Sequence, residues 1–514
     1  MTRDCVRSRR FSATVRRASL LASACLALSS CAVGPDFAPP PAPAAPGFTP
    51  ERAASPGEGQ RFAQGQDIPA QWWTLFRSKP LDALVKESLQ NNPSLQAAQA
   101  AVRVAYYNAE AQKGGFFPQV FLNANDSNNL QSNNRSLDSI NQTVFNQSFP
   151  TPANLATGAA VPNIPQNTPN ANYGLFLKQL TVSFTPDVWG GNARAVESLV
   201  AQTAQQNWQL EAAHLALTTN VVVAAIQEAA IRGQIEATRT IITILHETLE
   251  ILNRQYTFGS IAKADVIAQE AALAQAEQTL PPLEKQLAIQ RNLLTALAGR
   301  LSFEGAGETF ELARFTLPST VPVSLPSQLV AQRPDIMAAE ANLHAASAAV
   351  GVAAANRLPN ITLSANVGAS AFKVAQLFAP GTGLYTAAAN LSQPIFDGMT
   401  LLNKQKAAEA ALEQTDAQYR STVINAFQNV ADALRSLQSD AKAVSTARKA
   451  EDAAKRSLDI VRMQLRYGQV SQIAVLNAQR TFLLASLSRV QAEATRLSDT
   501  AALFMALGGG WWNR

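Results

Sequence analysis

The sequence predicts a mainly α-helical protein with a small membrane β part, a homotrimeric 12-stranded β-barrel continued by a 12-helix α-barrel, with two internal repeats per chain. Three observations carry this expectation. The chain aligns on itself, its apolar residues recur in sevens over stretches too long for a globule, and four short alternating segments have membrane-strand length yet cannot close a barrel alone.

At the N-terminus, residues 1–30 hold six arginines (Arg3, Arg7, Arg9, Arg10, Arg16, Arg17) against one acid, Asp4, and so account for the whole formal net charge of +5. The run ASLLASACLAL that follows is too short to span a bilayer and ends in small residues, the pattern of a secretory signal. Once it is removed the rest is neutral, so the basicity is no hint of a nucleic-acid partner. Leu28, Ser29, Ser30 and Cys31 read as a bacterial lipobox, with a signal peptide over 1–30 and Cys31 left as a lipid-modified first residue. Cys5 and Cys25 leave with the signal, so the mature chain has no disulfide and no thiolate metal site. His214, His246 and His344 are far apart and lie in helical patterns, which points to no metal site.

Residues 31–70 read as the lipid anchor and a proline-rich tether, and the body begins at QWWTLF, Gln71–Phe76. From there residues 92–125 align without gaps on 333–366, matching Pro93 to Pro334, Pro118 to Pro359, Leu122 to Leu363 and Asn125 to Asn366. Further on, Gly190 answers Gly398 and Gly259 answers Gly468. Each half therefore reads helix, strand, loop, strand, long helix, glycine turn, helix: a first repeat over 71–300, an equatorial irregular segment over 301–326, a second repeat over 327–507 and a tail over 508–514. The glycine spacing allows a long helix of about 100 Å at 1.5 Å per residue in each half. Pro281 and Pro282 should kink or interrupt the return helix of the first half.

Heptads say what these helices pack against. Ile235, Ile242, Leu249 and Tyr256 step by sevens, with Leu245 and Leu252 between them, and a second seam of Ile241, Ile244, Ile251 and Phe258 lies beside the first. Val266, Leu273, Leu280, Leu287 and Leu294 form another, as do Leu476, Leu483, Val490, Leu497 and Phe504. Two seams suit a helix with a neighbour on each side, which is how helices close into a cylinder.

Strands are expected at about 116–124, 174–185, 358–369 and 383–393, the length a tilted strand needs to cross a bilayer. Ile361, Leu363, Ala365 and Val367 alternate with Thr362, Ser364 and Asn366; Phe176, Leu180, Val182 and Phe184 do the same, with Lys178 on the apolar face. After Cys31 no run of 18 consecutive apolar residues occurs, so no transmembrane helix is expected. Open sheet edges in lipid leave backbone groups unpaired, so closure must come from other subunits, and three copies give twelve strands and twelve helices. The polar segment 125–173 suits an exposed loop; the second pair's loop, SAFKVAQLFAPGTG, is much shorter.

With LSSCAVGPDFAPP, QWWTLF, NNPSLQAAQAAV, AQRPDIMAAEANLHAAS, QPIFDG, LPPLEKQLAIQRNLLTALAG and DTAALFMALGGGWWNR in this order, the chain resembles the TolC-like outer membrane efflux protein family, specifically its NodT-type outer membrane lipoprotein branch. The resemblance implies a homotrimer in the outer membrane of a Gram-negative bacterium. It implies a passive exit duct for small molecules such as drugs, docked on a periplasmic adaptor (membrane fusion) protein and an inner-membrane pump of RND, MFS or ABC type. It also implies the helical tips as gate and docking site. Carried over, the tip residues are Gly259, Ser260 and Ile261 on one hairpin and Gly468, Gln469 and Val470 on the other; Asp265, Arg466, Tyr467, Ala474 and Asn477 are the gate candidates. Ala474 and Asn477 stand where relatives often place pore-facing aspartates, which argues against a strong acidic ring. Duct service for a secreted protein or for metal ions is the alternative. A periplasmic adaptor fits less well, since it would carry one helical hairpin within β domains. An enzyme is not expected: no nucleophile motif, metal spacing or phosphate loop occurs in a suitable context, the ALGGG run following a helix without strand or lysine. No cofactor is called for.

Overall fold

The computed structural model describes residues 32–51, 57, 59–131, 171–305 and 307–513. The expected signal peptide, Cys31 and most of the polar loop expected at 125–173 lie outside the described residues. The chain divides into two compact units, one from Met1–Phe37, Tyr107–Val200 and Ala345–Leu412, the other from Ala38–Tyr106, Ala201–His344 and Glu413–Arg514.

In chain order the elements are β1 (Arg61–Gln64), α1 (Lys79–Asn91), α2 (Pro93–Lys113), β2 (Gln119–Gln131), β3 (Ala171–Phe184), α3 (Gly191–Thr257), α4 (Lys263–Gln278) and α5 (Leu280–Leu297). There follow β4 (Thr320–Val323), α6 (Pro326–Gln332), α7 (Pro334–Ala355), β5 (Asn360–Ala371), β6 (Gly383–Ser392), α8 (Thr400–Arg466) and α9 (Gln472–Ala506).

The first unit holds a four-stranded antiparallel sheet of order β2-β3-β5-β6. Its register stacks Leu122, Leu180, Val367 and Tyr385 in one cross-strand row and Val120, Val182, Ala365 and Ala387 in the next but one, so one face is apolar across all four strands. The intervening row of Phe121, Thr181, Asn366 and Thr386 points to the other face, as period-two alternation demands. On the apolar face Leu122, Val367 and Tyr385 are exposed to 80%, 58% and 84%. Strand β2 runs well past the expected 124, through polar sequence, because it stays laddered on β3 as far as Gln131 against Ala171, and Lys178 Nζ pairs with Asp126 Oδ1 (2.8 Å) across that ladder. Lys178, on the apolar face, thus has its charge met on the neighbouring strand. Among the described residues the outer edges of β2 and β6 have no strand partner.

Among its described residues the second unit is helical apart from one small sheet that sequence reasoning missed. Strand β1, within the expected tether, pairs in parallel with β4, within the expected irregular segment, from Arg61 against Thr320 to Gln64 against Val323. The core beside it is aromatic: Trp72 lies 5.4 Å from Phe504 and 6.4 Å from Phe76 between ring centroids, with all three buried.

Helices α3 and α8 each have 67 residues, about 100 Å of helix. The prolines interrupt the return path: α4 stops at Gln278, Thr279 donates from N–H (3.1 Å) and Oγ (2.7 Å) to the Ala276 carbonyl, and Pro281 and Pro282 sit in the first turn of α5, where helix amides have no intrahelical acceptor. Among the described residues two helices, α3 and α7, are long and apolar enough to cross a membrane, against the expectation from consecutive runs; half or more of each apolar window is buried in the fold, as in core helices. Their alanine content makes them apolar on average without an unbroken apolar run.

Between α8 and α9, Asp440 faces Asp499 with Arg496 beside them. Burial first, then the Asp499 charge, pushes the Asp440 carboxyl up to about 7, and Arg496 opposes the shift. Because the folded state then holds a proton that the unfolded chain releases near its ordinary value, this carboxyl's contribution to stability is fullest in acid and is lost as pH rises through about 7. The melting temperature of the purified protein is expected to drop between pH 5 and 8, a slope that Asp440→Asn should flatten.

Candidate gate and adaptor-contacting tips

Both hairpin tips use one device. At the end of α3 the chain turns left-handed at Gly259 (φ 73°), Gly259 N–H donating to Tyr256 O (2.9 Å) and Ser260 N–H to Gln255 O (3.0 Å). At the end of α8, Gly468 (φ 67°) donates to Leu465 O (3.0 Å) and Gln469 N–H to Gln464 O (2.9 Å). This is the helix stop that caps the last carbonyls with backbone N–H groups and favours glycine at the left-handed residue. A side chain at either glycine would meet open space, so the backbone angle alone selects it. One extended residue, Ala262 or Ser471, then restarts the helix.

Asp265 sits half-buried in the first turn of α4, where unpaired helix N–H groups favour a carboxylate. Arg466 closes α8 and is exposed, as are Tyr467, Ser260, Gln469 and Asn477; Ile261, Val470 and Ala474 are half-buried. Within the chain Asp265 makes no hydrogen bond or ion pair with Arg466 or Tyr467 among the described residues. The heptad seams, buried higher up at Leu245 and Leu252, surface here: Phe258 is 85% exposed, and Tyr256, Ile267, Met463 and Ile473 are exposed too.

Just beyond the tips runs a polar ladder that sequence reasoning missed. Gln472 Nε2 donates to Gln269 Oε1 (2.8 Å), Gln269 Nε2 donates to the Leu245 carbonyl (2.9 Å), and Gln479 Nε2 donates to Thr248 Oγ1 (3.1 Å). All four side-chain partners are buried, so these bonds tie α9 to α4 and α3 where water cannot compete. The available signal was that Gln472, Gln479 and Ser486 step by sevens on α9 like a core seam, but with polar residues.

Two separate features ask what the chain does: the tips expose apolar residues beside a buried polar ladder, and the sheet has a bare apolar face. Comparison with known proteins decides the matter: residues 84–300 and 325–509, most of the chain, match the outer membrane efflux protein family. The chain belongs to that family. Among its curated relatives, the pyoverdine export outer membrane protein OpmQ of Pseudomonas aeruginosa is 28% identical over 496 residues, covering 96% of either chain. Nodulation protein T of Rhizobium leguminosarum bv. viciae is 25% identical, covering 95% of this chain and 92% of its own. The solved outer-membrane channel OprN superposes with a TM-score of 0.80 at 23% identity, covering 94% of this chain and all of that one, so the fold is that of the TolC-like outer membrane channels. As an outer membrane efflux protein the chain is an efflux channel component of the Gram-negative outer membrane, and its relatives are channels rather than enzymes.

Proposed function

We propose that this efflux protein acts as a homotrimeric passive exit duct, in which three four-stranded sheets close a 12-stranded β-barrel and three sets of helices a 12-helix tunnel. The observation that carries the reading is the sheet itself. Its apolar face is bare and its two edge strands are unpaired, an arrangement that lipid penalises by several kcal/mol per unsatisfied backbone group unless neighbouring chains complete the ring. The seams left open at the tips support the same assembly. In this reading the chain carries a signal peptide over 1–30, an anchor and tether over 31–70, and two copies of one helix-strand-strand-hairpin plan over 71–300 and 327–507 joined by the equatorial segment 301–326. Gly259, Ser260, Ile261, Gly468, Gln469 and Val470 meet a periplasmic adaptor, an inner-membrane pump supplies the energy, and small toxic molecules are the cargo. One relative is named for pyoverdine export and another as a nodulation protein at similar identity, so one fold serves relatives with different names.

Asp265, with no partner of its own among the described residues, meets one across the aperture in the trimer. Reconstituted into a planar bilayer, the protein is expected to conduct as a trimer, and Asp265→Ala to raise single-channel conductance several-fold by loosening the closed tip. Unchanged conductance would mark Asp265 as a solvated turn residue; absence of any channel would refute the duct. Cys31 carries the lipid anchor in this reading. Cys31→Ser is expected to abolish palmitate incorporation completely, and a labelled mutant protein would refute the assignment.

A further inference from the structure

The residues that follow the lipobox cysteine belong to a stretch whose prolines suggest a free tether, yet they are seated. Val33 N–H donates to the Trp189 carbonyl (3.1 Å), and the Val33 carbonyl accepts from Arg194 Nε (3.2 Å). The Arg194 side chain, only 7% exposed, also donates from Nη2 to Asp36 Oδ1 (2.5 Å) and from Nη1 to Glu197 Oε2 (2.8 Å). Two glycines make the approach possible. A Cβ on Gly34, itself at φ 100°, would collide with the Gly351 backbone, and a Cβ on Gly351 would lie 2.8 Å from both the Val33 carbonyl oxygen and Arg194 Cγ. A third, Gly190, would meet Ala32 in the same way, whereas its counterpart Gly398 has open space. The seat is therefore particular to the first half of the chain.

Its place in the first unit gives it meaning. Trp189 and Arg194 come directly after β3, and Trp189 Nε1 donates to the Pro359 carbonyl (2.8 Å) ahead of β5, so the seat lies at the end of the sheet where strands meet helices. The same end carries exposed Phe117 before β2 and exposed Ile395, Phe396 and Met399 after β6, an apolar rim suited to the boundary of a bilayer.

We propose that Ala32–Asp36 is a docked clip, with Gly190, Arg194 and Gly351 as its seat, that holds the acylated terminus against this apolar rim so that acyl chains and rim enter one lipid leaflet. The proposal rests on the reading of Cys31 as the lipidated residue. Clip and lipid act together: a seated terminus spares the acyl chains the search that a long tether would allow.

The test uses the full-length acylated protein, purified from membranes, with a nitroxide on Pro35→Cys; acylated Cys31 leaves no other thiol in the mature chain. Palmitate labelling and the mass of the mature N-terminus are read on every variant. The expected result is an immobilised spectrum in the parent, a large mobile component in Gly351→Ala and Asp36→Ala, and return of the immobilised spectrum in Asp36→Glu. Gly351→Ala is informative because alanine favours the helix while its new methyl presses both on the Val33 carbonyl and on the Arg194 stem that holds it. A nitroxide on Asn356→Cys, at the end of α7, should report the same mobility in all of them, which separates loss of the clip from loss of fold. A mobile spectrum in the parent, or an immobilised one in Gly351→Ala, overturns the clip. Loss of palmitate with the spectra as expected would instead overturn the lipid reading and leave the docked segment standing.

Discussion

Trp72→Ala is expected to destabilise the second unit by about 3–5 kcal/mol, the range for removing a large aromatic side chain from a packed core. Trp72 is 1% exposed and contacts Phe504 near the end of α9, Phe76 in its own short helix and Trp73. The cavity left would be lined by rings held from two sides, one by α9 and the other by the short helix Trp72–Phe76, and so would collapse poorly. Trp73 shows the contrast: its indole N–H donates to Asp82 Oδ1 (3.0 Å), so Trp73→Phe loses a hydrogen bond and only part of the ring volume and should cost less, about 2 kcal/mol. Thermal melting of the purified variants, followed by circular dichroism, reads both; equal midpoints for Trp72→Ala and Trp73→Phe would contradict this picture of the core.

Glu228→Ala is expected to cost about 3 kcal/mol through electrostatics rather than packing. The Glu228 carboxylate is wholly buried on α3, and its Oε1 accepts from Arg232 Nη2 (2.7 Å), Arg232 Nε (2.9 Å) and Arg291 Nη1 (3.0 Å). Removing one partner of a buried pair typically costs 3–5 kcal/mol because the remaining charge is stranded. Here the two guanidinium groups keep about 30% exposure and regain some water, which places the effect at the low end. Glu228→Gln keeps an acceptor for one guanidinium and should cost less than alanine does. The comparison by thermal melting, repeated in high salt, checks the account: an exposed pair would lose its effect in salt, and this buried one should keep most of it.

What could be read from the sequence was what repeats. The long helices announce themselves because heptads accumulate over dozens of residues, and the glycine turns because a left-handed helix stop demands a residue that few others replace. The parallel pairing of Arg61–Gln64 with Thr320–Val323 could not be read, since four residues carry too little pattern and their partner lies far away in the chain. The buried polar groups were missed for a different reason. Gln269, Gln472 and Gln479 look like interruptions of an apolar seam until their partners are seen, and Glu228 in AAIQEAAIRG looks like a solvated helix residue until Arg291 arrives from α5. At the N-terminus the expected tether begins with residues held by Arg194 and by two glycines meeting face to face, contacts that no sequence pattern announces. Asp265, Arg466 and Tyr467 remain candidates because, in the trimer proposed above, what they touch belongs to other copies of the chain.

That dependence on other copies is the central claim, and strand-edge cross-linking tests it most directly. Paired cysteines, one on β2 at Asn123 or its neighbours and one on β6 at Thr386 or its neighbours, place thiols on the two edges that the described chain leaves unpaired. Oxidised in outer membranes and run under denaturing conditions, the correct pair is expected to give covalent dimers and trimers and nothing larger, because a ring of three closes. A ladder extending past the trimer, or no cross-link between chains from any pair along the two strands, would contradict the account.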